Sequence, residues 1–113
     1  MSPSLMSSGA VVAPTPERLV RADADERVRL LERYVRAELG RVLGIAPDLV
    51  DTTGRAMGCL GIGSISAIEL QLRMRAALGV DVHLRHLLTD RSAQALIDFL
   101  VEEFTPDGVG GRA

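Results

Sequence analysis

Apolar residues in this chain recur at three- and four-residue intervals in three separate segments, and no segment shows the two-residue alternation of a half-buried strand. That periodicity restricts the fold to packed helices. Val28, Leu31, Val35, Leu39 and Val42 form the first stripe, with Arg and Glu between them. Asp23 or Asp25 stands where a cap is needed, and Gly44 closes the segment. Pro16 and Glu17 suit the start of a separate helical turn over Leu19 and Val20. Glu32 and Arg36 make a favourable pair four residues apart on what reads as a solvated face. At the other end, Ser92 can cap a helix whose stripe is Ala93, Leu96, Ile97, Leu100 and Phe104. Between Val80 and Asp90 there is room only for a short helix, at Leu84 to Leu88.

The middle segment differs. It runs from Ser64 or Ile65 to Leu78, with Gly79 ending it, and carries two stripes. At about 100° per residue, Ala67, Leu70, Met74 and Leu78 share one face while Ile65, Ile68 and Leu72 lie nearly opposite. A surface helix needs one apolar stripe for the core, so the second is expected to meet another helix or a partner. Arg73 and Arg75 make the end of this helix basic.

Before this helix the pattern breaks. From Gly44 to Gly63, Pro47 and glycines 54, 58, 61 and 63 indicate a long loop, with Ile45, Val50, Met57 and Leu60 available to anchor it. The expected architecture is all-α: a four-helix bundle of three longer helices and one short one, with a long loop between helices 1 and 2. Residues 1–15 and 105–113, rich in small residues, Ser, Pro or Gly, read as a flexible leader and tail around a folded region at 16–104. A core low in aromatics suits helices, and only 3% of residues are aromatic.

Several functions are disfavoured by composition. The formal charge is −2, all thirteen basic residues are arginine, and neither a nucleic-acid field nor a phosphate-loop lysine is present. No apolar run reaches membrane-spanning length, and the start lacks a secretory signal pattern. The lone Cys59 excludes an internal disulfide and fits a reducing, cytoplasmic setting. His83 and His86 are only a weak metal pair without a third ligand, so no metal site is expected.

The stretch LGIGSISAIEL, residues 60–70, carries the sharper question. A hydrolase nucleophile elbow would need glycines where Ile62 and Ser66 stand, and a dinucleotide fingerprint would need one at Ser66. No catalytic constellation is expected. Ser64 is left as a helix cap, a modification site, or both. A helix N-terminus offers unpaired N–H groups and positive partial charge, which favour a phosphate ester there. Gly61 and Gly63 remove side chains that would crowd an enzyme reaching the hydroxyl.

Leu60, Gly61, Ile62, Gly63, Ser64 and Ile65, followed by Ala67, Glu69 and Leu70, resemble the attachment motif of acyl carrier proteins, Leu-Gly-x-Asp-Ser-Leu/Ile. RVLGIAPDLVD is similar to the end of that family's first helix, LRMRAALGVDVHLRHLL to its second and third helices, and RSAQALIDFL to its fourth. The resemblance covers residues 28–104. It implies a carrier-type bundle with 4′-phosphopantetheine on Ser64, donated by coenzyme A through a phosphopantetheinyl transferase. The arm's thiol would hold acyl groups as thioesters for partner domains such as a ketosynthase and an acyltransferase. It also implies that Gly63, Ile62 and Ile65 flank the arm and that Ile65, Ile68, Leu72 and Arg73 face partners. No catalysis by the chain itself, no nucleic acid, no membrane and a monomeric isolated domain are implied as well.

The sequence departs from the motif at Gly63, where the family has an acid, at Cys59, and at Asp90-Arg91-Ser92 before the last helix. Arginine-rich and alanine-rich segments look most like a carrier of a modular polyketide synthase. A peptidyl or aryl carrier is the alternative, although the usual Gly-Gly-His-Ser is missing. A helical protein-interaction or DNA-binding module, with Ser64 as a plain cap, is the rival of a different class. Against DNA, the last helix carries Asp98, Glu102 and Glu103 and no basic residue.

Overall fold

A computed structural model describes residues 11–84, 87 and 91–106. Among them the regular structure is helical: α1 (Pro16–Arg21), α2 (Ala24–Leu43), a 3-10 turn (Pro47–Leu49), α3 (Met57–Leu60), α4 (Ser64–Leu78) and α5 (Ala93–Glu103). This is the expected all-α carrier-type fold. Of the short helix expected at Leu84–Leu88, Leu87 is helical and fully buried, and the rest beyond Leu84 lies outside the described residues.

The separate turn at Pro16 is a real helix, capped by the Thr15 hydroxyl accepting from the Arg18 N–H at 3.1 Å. Its far end is closed from a distance. Arg27 donates from Nε to the Leu19 carbonyl at 2.8 Å and from Nη2 to the Ala22 carbonyl at 2.6 Å. Those carbonyls lack intrahelical partners, and a guanidinium satisfies them while complementing the negative helix end. Val11 and Ala13 also pack against the core, in a stretch whose composition reads as leader.

Asp23 caps α2, its Oδ1 accepting from the Glu26 N–H at 2.8 Å. The buried face of α2 is Arg27, Leu31, Tyr34, Val35, Glu38 and Leu39, rotated from the expected stripe. Val28 is exposed and Val42 only partly covered. Polar residues with internal partners occupy the inward positions instead. Near its end, Gly40 allows the following chain to return closely: a Cβ there would stand 2.7 Å from the Ile45 carbonyl oxygen.

The long loop is tied down by one arginine. Arg36 does bond Glu32, at 3.0 Å, but its Nη1 also donates to the carbonyls of Val50 at 2.8 Å and Pro47 at 3.3 Å. Its face is therefore a contact, not merely solvated. Val50 and Met57 anchor the loop in the core as expected, whereas Ile45 stays exposed and Leu60 is half-buried. The loop then supports α5. The Thr52 carbonyl accepts from the Gln94 N–H at 2.7 Å, and the Met57 N–H donates to the Arg91 carbonyl at 3.0 Å. Ser92 holds the cap position without a side-chain cap bond, because loop backbone satisfies the helix start.

The core joins Leu31, Val35 and Leu39 of α2 to Leu70 and Met74 of α4 and to Leu96, Ile97 and Leu100 of α5. Each of these side chains is at least 99% removed from solvent. At roughly 1.5–3 kcal/mol for each fully buried aliphatic side chain, this apolar contact dominates the cohesion of the bundle.

Candidate functional site

The site is built by two pegs and a turn. Met57 begins α3 fully buried, and Ile62 follows it buried again, its N–H donating to the Met57 carbonyl at 3.2 Å. Between them Gly61 has φ 113°, a conformation that a residue with a Cβ rarely adopts. With Met57 and Ile62 held inside, the next residues are turned outward: Gly63 and Ser64 are both exposed.

Ser64 occupies the first position of α4, and Gly63 is the cap residue with no side chain to bond the first turn. Plain capping by Ser64 is therefore not what the geometry shows. Among the described residues none hydrogen-bonds the Ser64 hydroxyl. The hydroxyl stands in solvent beside a helix start that keeps its unpaired N–H groups and positive partial charge. A Cβ added at Gly63 would meet nothing within 4 Å, so the approach to Ser64 is open. A phosphate ester fits this setting on both steric and electrostatic grounds.

The other expected site residues divide. Ile65, Ile68 and Leu72 are 85%, 46% and 59% exposed, while Ala67, Leu70, Met74 and Leu78 are buried, so the two stripes face opposite ways as their spacing implies. Ile62 departs from the expectation, since a side chain used as a core peg cannot also line the arm. Arg73 is also not a free cation. Its Nε donates to Glu38 Oε1 and Oε2 at 2.9 and 3.1 Å.

That contact belongs to a network that sequence reasoning missed. Glu38 is 2% exposed and also accepts from Tyr34 Oη at 3.1 Å and Arg41 Nε at 3.3 Å. Arg41 continues from Nη2 to Glu69 on α4 at 3.2 Å. Burial first, and then the Glu38 charge, pushes the Tyr34 phenol well above its ordinary range. The hydrogen bond that Arg73 donates to Glu38 holds its guanidinium above its ordinary range. The available signal was Tyr34 and Glu38 four residues apart on the inward side of α2.

His83 is exposed and His86 lies outside the described residues. No helix of the described residues is long and apolar enough to cross a membrane.

The family described as phosphopantetheine attachment site matches residues 33–100, and the chain belongs to that family. Over 83 residues it is 34% identical to polyketide synthase ThaG of Burkholderia thailandensis, an alignment covering 74% of this chain and 1% of that protein. The chain thus spans a very small part of that relative. No solved structure matches significantly.

Proposed function

We propose that this chain is an acyl carrier domain of a polyketide synthase, with 4′-phosphopantetheine attached to Ser64. The observation that carries the reading is the free, exposed Ser64 hydroxyl at the first position of α4, inside the matched family segment. The similarity to a polyketide synthase supports the polyketide subtype over a peptidyl or aryl carrier.

In this reading a phosphopantetheinyl transferase brings coenzyme A to the helix start. The Ser64 oxygen forms the new phosphoester bond, its proton is lost, and the nucleotide part of coenzyme A leaves. The N–H groups of the first turn of α4 favour the anionic phosphate beside them. When bound, the arm supplies a terminal thiol that holds acyl groups as thioesters. The protein supplies a rigid base and an exposed stripe of Ile65, Ile68 and Leu72 for docking of a ketosynthase, an acyltransferase and other synthase domains. A flexible tether on such a base raises effective concentration at several active sites without tight binding. The domain, whose core also takes in Val11 and Ala13, works as a non-catalytic monomer in the cytoplasm.

Incubation with coenzyme A and a broad-specificity phosphopantetheinyl transferase tests this. A mass gain of about 340 Da is expected, lost in Ser64→Ala and kept in Ser66→Ala. No gain in the unaltered chain, or a gain that survives Ser64→Ala, sinks the proposal.

A further inference from the structure

α4 carries only three charged side chains, Glu69, Arg73 and Arg75, and each is paired within this chain. Glu69 meets Arg41 at 3.2 Å, Arg73 meets Glu38 at 2.9 Å, and Arg75 meets Asp81 at 3.3 Å. At about 100° per residue, Glu69 and Arg73 border the Ile65–Ile68–Leu72 stripe on one side and Arg75 borders it on the other. The flanking charges are thus answered from α2 and from the segment after α4.

The pairing on the Glu69 side is held in place. Arg41 is anchored through Nε to the buried Glu38, so its Nη2 is delivered to Glu69 without ordering a free side chain. An exposed ion pair normally contributes little because that ordering offsets the Coulomb gain, and here one partner is already fixed. A cation from outside would have to displace Arg41 from Glu69 to gain a contact. Burial of the isoleucines and the leucine carries no such cost.

We propose that the partner surface receiving this stripe is an apolar recess of a folded domain without a ring of basic residues. Association with α4 is then governed by burial, and Arg41 holds the place that a partner's cation would otherwise take. This rests on the carrier reading for the identity of the partners, and on the geometry of α4 alone for their chemistry.

Binding of a broad-specificity phosphopantetheinyl transferase, used as the probe and measured by calorimetry without coenzyme A, tests the point separately from loading. From about 50 mM to about 500 mM NaCl, Kd for the unaltered chain is expected to change less than about twofold, because screening weakens only exposed charge pairs. Ile68→Ala is expected to raise Kd about tenfold at either salt concentration. Arg41→Gln, which frees Glu69, is expected to leave Kd equally insensitive to salt, because the partner offers no cation for Glu69 to meet. A Kd for the unaltered chain that rises more than about fivefold with salt overturns the proposal. So does Arg41→Gln binding that becomes tighter and salt-dependent and loses that dependence when Glu69→Gln is added, or no binding at all. Failure of loading with salt-independent, Ile68-dependent binding would instead count against the carrier reading and leave this one supported.

Discussion

Nε of Arg73 on α4 lies 2.9 Å from Oε1 of Glu38 on α2, and that carboxylate is almost wholly removed from solvent. A buried carboxylate without partners would cost several kcal/mol, and here Arg73, Arg41 and the Tyr34 hydroxyl supply donors to it. The cluster fixes how α4 sits on α2. Glu38→Gln keeps the shape but removes the charge that both arginines answer. It should lower stability by about 1–3 kcal/mol, read from urea unfolding midpoints at constant slope.

Tyr34 gives the same cluster a dependence on pH. Its phenol is raised above the ordinary value of 10.0 in the folded chain. A raised acid binds its proton more tightly folded than unfolded, so its contribution is whole below pH 10 and declines as pH rises beyond that value. Unfolding midpoints followed above about pH 10 should fall more steeply in the unaltered chain than in Tyr34→Phe. The variant itself should lose about 1 kcal/mol at neutral pH, because Glu38 keeps its other donors.

The two faces of α4 should respond differently to charge. Ile68→Asp places a carboxylate where side chains are already wet and should shift stability by no more than about 0.5 kcal/mol while impairing transfer to partners. Leu70→Asp buries an unpaired charge among fully covered side chains and should leave the domain unfolded by circular dichroism. Equal destabilisation by the two substitutions would contradict the observed faces.

Gly63 is open to a side chain. Its φ of −98° and ψ of −173° are ordinary extended values, and a Cβ would find empty space. Gly63→Asp therefore adds a capping carboxylate at the start of α4 and should raise stability by a few tenths of a kcal/mol in thermal unfolding. Loading of Ser64 measured on the same variant shows whether an acid at this position also speeds the transferase.

Much of this was legible in the residues. The opposite stripes of α4 follow from spacing alone, whereas Asp23 is one of two cap candidates with Asp25, and Val50 and Met57 are the two of four candidate loop anchors that reach the core. What stayed hidden was polar and non-local. Arg27 reads as a surface residue until α1 is seen to end against it, and Val28 loses the inward position for that reason. Glu38, Arg41 and Arg73 look like a solvated charge pattern because their meeting depends on how two helices cross. Ile62 reads as a neighbour of Ser64, and nothing local reveals that the turn at Gly61 sends it inward.

Arg36 holds the carbonyls of Pro47 and Val50, while Thr52 in turn secures the first turn of α5. Length in this connection is therefore not slack. Its backbone is stitched into the start of the last helix, and both should come apart in the same cooperative event.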